Sequence, residues 1–589
     1  MQAAASAAAF FQGDLMVDLK AKPFCLDEKK INWVENTIAS MSLEEKIGQL
    51  FIYLCWDRDT SKIKNICNRY HVGGLRWQGG NLEQIYEQNR LFQENSRIPL
   101  LIAANALSGG NGAVKEGTLV ATGAAAGAAP TDEVAYRTGV VSAAESKAVG
   151  VNWQFGPDCD VLLNWRNTII NDRAYGNDPD KVIACSKAFM KAHREANIAC
   201  CAKHFPGDGT EERDQHLVMG CNDLNIKEWE NTFGKVYRSL IDEGVEAFMI
   251  GHICMPAYQK HFNPSLTDAD IRPASNSPEL LTDLLRKQLG FNGLITTDAS
   301  HMAGLSTSAP RSYQVPHAIA AGCDMFLFFN DPDEDFGYMM KGYKDGVITK
   351  ERLSDALHRI LGLKAKLGLD DFTFPSKELL SCVNCEKHHE EASWCADQCV
   401  TLVKDTQKIL PWDVKNKKRA YVYYLETQPV SNLDGPDKQK KIVIEELERA
   451  GFECTVHTDY YEMECEKMDP VNRMRIMNTP SVEEFKSKYD IVFLFVHIKG
   501  YAQENNNRIK WSAPHSNELP WYVCEVPAVG ISLNYTNHLY DLPMMKTYIN
   551  AYAPTREYIR ATVEKITGKS KFKGSANDLV WCDRWDTRR

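Results

Sequence analysis

Two stretches of this sequence carry the residue types that proton transfer and nucleophilic attack require. The first runs Lys203-His204-Phe205-Pro206-Gly207-Asp208-Gly209-Thr210-Glu211-Glu212-Arg213-Asp214-Gln215-His216, joining a cation, two histidines and several carboxylates to glycines that let a loop bend. In the second, the apolar run Gly293-Leu294-Ile295-Thr296-Thr297 delivers Asp298. An acid placed at the end of such a run is costly to bury, and its usual reasons are a metal, a cationic partner or a reaction. Acetal cleavage needs two carboxyl groups flanking one bond, one held ionised and one able to deliver a proton. Asp298 suits the ionised role. Asp214 with His216 suits the other, because residues two apart in an extended loop point to one side and the aspartate can orient the imidazole. Lys203 and His204 would meet hydroxyl groups at the strand mouth, and Lys203 would add a positive field that keeps Asp298 ionised. Aspartates at strand ends also serve as loop caps, and Lys-His pairs also simply face water, so spacing alone leaves both readings open.

The surrounding chain supplies elements able to position these groups. Between Gly48 and Leu367, short β-rich apolar runs alternate with longer amphipathic stretches, the rhythm of βα units around a parallel sheet. The expected strands are Leu50–Tyr53, Gly74–Arg76, Leu100–Ala104, Val151–Phe155, Ile198–Lys203, Ala247–Gly251, Gly293–Thr297 and Met325–Phe328, with helices such as Leu82–Glu94, Lys227–Glu243 and Pro278–Leu289 between them. Eight such units predict an α/β fold of the TIM-type (β/α)8 barrel, in which chemistry gathers where strands end. Asp-Asp, Pro and Ser break the rhythm at Leu369–Ser376, and a second α/β pattern begins near Glu390. Its expected strands are Ala420–Leu425, Glu453–His457, Ile491–Val496 and Ala528–Leu533, without a nucleotide-binding glycine motif, which predicts a smaller α/β sandwich domain. The resulting division is a tag-like or disordered start over 1–16, a barrel over 17–370, a linker over 371–389 and the sandwich over 390–589.

Composition narrows the function classes. With 589 residues, 44% hydrophobic, and a formal net charge of -10, the chain has no basic footprint for nucleic acid or an anionic membrane surface. No apolar run is long enough to span a bilayer, and the alanine-rich start lacks the basic flank of an export signal. Eighteen scattered cysteines read as free thiols, so the expected location is cytoplasmic. Cys382, Cys385, His388, His389, Cys395 and Cys399 crowd together, but their spacing matches no standard zinc module and they read as thiols and histidines without metal. No cofactor is expected, and a homodimer is the assembly considered.

The segment KHFPGDGTEERDQH resembles the signature of the β-N-acetylglucosaminidase branch of glycoside hydrolase family 3, and GFNGLITTDASHM resembles that family's nucleophile motif. Met41–Leu50, Val72-Gly73-Gly74, Val151–Asp160, Arg173-Ala174-Tyr175-Gly176, Gly251-His252-Ile253 and Thr401–Asp405 add similarity over most of the chain. The resemblance implies a retaining β-N-acetylhexosaminidase acting on a carbohydrate substrate, with Asp298 as the nucleophile of a covalent glycosyl-enzyme. It makes Asp214 and His216 an acid/base dyad on a mobile loop, and Arg173, Lys203 and His204 sugar contacts, with His252 a further candidate. Where the branch carries an aspartate followed by Glu-Gly-Gly-Arg beyond the third strand, this chain has Asn105 and then Ala106-Leu107-Ser108-Gly109-Gly110. An amide keeps the hydrogen bonds but loses the charge that strengthens them, so sugar preference is expected to differ. Two alternatives remain: use of phosphate in place of water, and a carbohydrate-binding protein without turnover.

Overall fold

The computed structural model describes residues 16–56, 59–77, 79–426, 439–458, 469–471, 480–498, 505–511 and 519–589. They fold into two compact units. The first gathers the described residues up to Leu119 with Ala135–Leu162 and Asp178–His388; the second gathers Val120–Val134, Leu163–Asn177 and His389–Arg589.

In the first unit eight parallel strands close a barrel: β1 Phe51–Cys55, β2 Gly74–Trp77, β3 Leu101–Ala104, β4 Trp153–Gln154, β5 Ala199–Phe205, β7 Ala247–Ile250, β9 Leu294–Ala299 and β10 Met325–Leu327. The last, β10, pairs back onto β1, while β6 Gly220–Cys221 and β8 Ile253–Cys254 form a parallel pair beside the barrel. All eight expected runs are strands. Runs such as Leu-Ile-Ala-Ala in β3 and Ala-Phe-Met-Ile in β7 are buried at every position, as strands covered on both faces must be. Helix starts follow their caps: the Ser42 side chain accepts from Glu45 N while Glu45 reaches back to Ser42 N, closing a capping box over Leu43–Gly48.

The expected helix Lys227–Glu243 is two, Ile226–Asn231 and Phe233–Glu243, broken at Thr232. The cause lies in the loop after β5. The Trp229 indole donates to Pro206 O at 2.8 Å, and the Phe233 ring lies where a Cβ on Gly207 would sit, so both aromatics must face that loop at once. Gly207 has φ +119°, a conformation that glycine alone adopts readily.

The N-terminal ends of the strands are tied by buried ion pairs. Asp324, just before β10, accepts from Ile295 N at 2.7 Å, from Arg286 at 2.8 Å and from Arg352. Asp355 accepts from Arg352 and, at 3.1 Å, from Arg359. On the barrel flank a third buried carboxylate, Glu145, accepts from Thr118 N at 2.8 Å, Thr118 Oγ1 at 2.7 Å, Asn384 N at 3.0 Å and His388 Nδ1 at 2.7 Å. Four donors leave it satisfied without a metal. Of the Cys/His cluster, His388 is therefore committed to Glu145, His389 pairs with Glu557, and Cys395 and Cys399 are buried and form no disulfide.

The second unit is built on a six-stranded sheet of β11 Thr401–Asp405, β12 Arg419–Glu426, β13 Glu453–Val456, β14 Ile491–His497, β15 Ala528–Ser532 and β16 Thr547–Asn550, ordered β11-β16-β15-β14-β12-β13. Only the β11–β16 pairing is antiparallel among these strands. The four expected strands are present, and β11 and β16 extend the sheet on the β15 side. One face buries Tyr423, Leu494, Val496, Tyr522 and Tyr548 in a common core. The terminal tail supplies the Thr587 and Arg589 carbonyls that accept from buried Lys404 at 2.6 and 3.0 Å.

Candidate active site

Asp298 occupies the C-terminal part of β9, where the apolar run Leu294–Thr297 is wholly buried and the carboxylate emerges 15% exposed. Its Oδ1 accepts from Ala299 N at 2.7 Å, and its Oδ2 faces His204 Nε2 at 3.9 Å. Burial pushes the carboxyl up, but His204, His252 and His216, together with the Ala299 N–H, outweigh it and bring it down to about 2. Asp298 is thus an anion at any ordinary pH. The largest cationic contributions come from histidines, while Lys203 Nζ donates to Asn105 Oδ1 at 3.1 Å.

Lys203 and His204 lie inside β5, whose pairing with β7 shifts register between Ala202 and Phe205. Such an irregularity re-aims side chains at a strand end. Both residues are buried. His204 Nδ1 lies 2.7 Å from Asp160 Oδ2, and Asp160 Oδ1 accepts from His204 N at 3.1 Å and Asp208 N at 2.8 Å. Asp158, Asp160 and His204 bring one ligand atom each within 4.8 Å of one another, but His204 Nδ1 and Asp160 Oδ1 are already engaged in these hydrogen bonds.

Asp214 and His216 come together through a turn. Asp214 Oδ1 accepts from His216 N at 2.8 Å and lies 2.7 Å from His216 Nδ1. A turn makes the pair, with Leu217 N donating to Asp214 O at 2.9 Å, so the two side chains meet through an Asx-type cap rather than along an extended loop. Asp214 is buried, and its Oδ2 has no hydrogen-bond partner among the described residues. His216 retains a 22% exposed side chain with Nδ1 committed and Nε2 available. Between them, Gln215 turns the other way: its Oε1 accepts from His252 N at 2.7 Å and its Nε2 donates to Asp208 Oδ2 at 3.4 Å. Ala303 N and Gly304 N, just beyond β9, donate to the carbonyls of His216 and Gln215, fixing the loop that bears Asp214 and His216 to the segment that follows Asp298.

Two expected sugar contacts have partners within the protein. His252 is fully buried, with Nδ1 2.9 Å from Ser275 Oγ and Nε2 3.0 Å from Ala299 O. Both ring nitrogens are spent, so it braces Asp298's neighbour rather than offering an atom to substrate, and burial holds the ring neutral, down to about 4. Arg173 belongs to the second unit, where its guanidinium donates to Ile169 O at 3.3 Å. Asn105 is exposed just after β3. Sequence reasoning missed Asp160, Asp208 and Gln215 as site residues; the one available signal was the acid ending the Val151–Asp160 stretch. Arg311 braces the far side, pairing with Asp335 at 2.6 Å and donating to the carbonyls of Ser300 and Phe328.

A parallel barrel whose mouth holds one permanently ionised carboxylate and, close by, a carboxylate–imidazole pair defines a glycosidase. The model of the glycosyl hydrolase family 3 N-terminal domain matches residues 42–363, and the chain belongs to that family. Across 97% of its length it is 37% identical to the whole of a Cellulomonas fimi protein named β-N-acetylglucosaminidase/β-glucosidase. Over 34% of this chain and 53% of the relative it is 35% identical to a β-hexosaminidase of Chromobacterium violaceum. Among solved structures, a β-glucoside phosphorylase, BglX, superposes with TM-score 0.88 at 34% identity, covering 97% of this chain and 99% of that one. A family 3 β-N-acetylglucosaminidase from Paenibacillus sp. str. FPU-7 has TM-score 0.74 at 22% identity, over 91% and 98%, and shares the fold.

Proposed function

We propose that the protein is a retaining, exo-acting β-N-acetylhexosaminidase that also has the makings of a β-glucosidase. The observation that carries this is the division of labour between Asp298, pulled down to about 2, and the Asp214–His216 pair with its free Nε2. Asp298 attacks the anomeric carbon as His216 Nε2 gives its proton to the leaving oxygen; Asp214 keeps Nδ1 protonated and stabilises the imidazolium before transfer. In the second half, neutral His216 takes a proton from the incoming acceptor, which breaks the glycosyl–Asp298 ester. Asn105, Lys203 and His204 serve as hydroxyl contacts. The barrel, 17–370, carries the chemistry; the sandwich, 390–589, is structural, and the free thiols fit a cytoplasmic setting.

A second reading concerns the acceptor. A neutral imidazole, unlike a carboxylate base, does not repel an anion, and Asn105 beside Lys203 removes one more negative charge from the mouth. Together with the near full-length similarity to a β-glucoside phosphorylase, this favours phosphate as an acceptor and a sugar 1-phosphate as product. The test is nitrophenol release from 4-nitrophenyl β-N-acetylglucosaminide, β-N-acetylgalactosaminide and β-glucoside, with and without phosphate, with the sugar product identified. Release from the N-acetyl sugar in phosphate-free buffer supports the hydrolase. Release that requires phosphate, with sugar 1-phosphate formed, replaces it with the phosphorylase. Silence on all three sinks both.

A further inference from the structure

The hydrogen bonds around the site, completed by one longer contact between His204 and Asp298, form a circuit that links Asp298 to residues with no part in bond making. From Asp298 it passes to the adjoining Ala299, whose carbonyl meets His252 Nε2 at 3.0 Å; from His252 N to Gln215 Oε1 at 2.7 Å; from Gln215 to Asp208 at 3.4 Å; and from Asp208 N to Asp160 Oδ1 at 2.8 Å. Asp160 Oδ2 then meets His204 Nδ1 at 2.7 Å, and His204 Nε2 returns to Asp298 Oδ2 at 3.9 Å. Asp160 is the member that faces both ways. One of its oxygens holds the imidazole beside the nucleophile, and the other holds the root of the loop that bears Asp214 and His216.

We infer that Asp160 is a positioning residue that keeps His204 in the protonation and orientation needed to hold Asp298 as a ready anion. The physical reason is direct. A fully buried carboxylate accepting from Nδ1 favours an imidazole protonated at that nitrogen and lets Nε2 also carry a proton toward Asp298, which stabilises the second carboxylate. Without the negative charge at 160, His204 Nδ1 would meet a neutral partner, and with only Asp158 and Asp298 left as carboxylates beside it its cationic form would be less favoured. Other titratable groups facing Asp298 are His252, whose nitrogens are spent, and His216; His301 and Lys203 stand nearby. Of the side chains that face Asp298, His204 is the one hydrogen-bonded to Asp160 in the circuit, and the double variant with His204 reads whether a change at Asp160 travels that way.

This inference rests on the proposed glycosidase reading, and the test separates the two because it begins from wild-type turnover of aryl glycosides; an inactive wild type would sink that reading, not this one alone. The protein is assayed with an aryl glycoside bearing a good leaving group and with one bearing a poor one, from pH 3.5 to 8. Asp160→Asn is expected to lower kcat/KM by about 100-fold on both substrates alike, and to move the acid limb upward by about one pH unit or more as Asp298 returns toward the ordinary carboxyl range. His216→Ala, by contrast, should injure the poor leaving group far more than the good one. His204→Asn should reproduce the Asp160→Asn profile, and the double variant should lose no more than either single one. An unmoved acid limb in a folded Asp160→Asn, a loss confined to the poor leaving group, or additive losses in the double variant would overturn the inference. Should Asp160→Asn fail to fold, the acid limb of His204→Asn decides alone.

Discussion

The two ends of the barrel hold their charges in opposite ways. At the N-terminal ends of the strands Asp324 and Asp355 lie under Arg286, Arg352 and Arg359, each carboxylate gripped by guanidinium groups and Asp324 by a backbone N–H as well. At the C-terminal ends Asp298 has one backbone hydrogen bond and a histidine at 3.9 Å, and Asp214 keeps one oxygen with no hydrogen-bond partner among the described residues. The lower set is saturated; the upper set has capacity left over. Breaking a buried pair costs far more than the pair contributes, because it strands a charge away from water. Unspent hydrogen-bonding capacity at a concave mouth is what a substrate or transition state can use. Burial alone therefore does not separate a structural acid from a chemical one; the count of partners does.

This contrast can be broken from either end. Asp298→Ala should cut kcat/KM on aryl glycosides by about four orders of magnitude or more, with the far-ultraviolet circular dichroism of the wild type; activity near wild type would remove Asp298 from the nucleophile's role. Asp324→Ala should do the reverse, costing about 3–5 kcal/mol of stability, while the protein that remains folded turns over at a near-normal kcat; a urea midpoint close to wild type would mean that the Arg286–Arg352 cluster tolerates the loss. The smallest effect concerns pH. A carboxyl held at about 2 in the folded state and near 3.8 when unfolded takes up its proton first in the unfolded chain, so its stabilising contribution is complete above 3.8 and is lost as pH falls toward 2. The gap in unfolding free energy between wild type and Asp298→Asn should be about 2 kcal/mol near pH 6 and shrink below pH 4, a difference that denaturant titrations at several pH values would detect. A gap independent of pH would show that the histidines do not act on this group.

The barrel was legible because its strands are continuous apolar runs between capped helices, and both buried flanks leave a simple signature. Asp298 was legible for the same reason: an acid at the end of Leu294–Thr297 contradicts everything before it. The Asp214–His216 pair was found by its separation, although the turn that joins them was not, since no periodicity encodes an Asx cap. His252 stayed undecided between substrate contact and structural use because a histidine at a strand end looks alike whether its nitrogens are free or spent on Ser275 and Ala299. Asp160 and Gln215 were invisible in their roles. Their partners lie 44 and 37 residues away in sequence, at His204 and His252, and only closure of the barrel brings them together. Strands β11 and β16 were missed because Thr401–Asp405 and Thr547–Asn550 are short and mix polar residues with apolar ones, which weakens any run of hydrophobicity.

Glu145 has a consequence in polymer terms. By joining residue 145 to His388 it closes a loop of 243 residues, a span that secreted proteins often fasten with sulfur, in a chain whose described cysteines are all free thiols. A disulfide persists after unfolding and restricts the denatured ensemble, whereas a carboxylate grip exists only in the folded state and vanishes with it. The loop must be closed afresh each time, at an entropic cost that grows only logarithmically with its length. In exchange, no wrong cross-link can be trapped at this junction, and its closure on refolding needs neither an oxidant nor an isomerase.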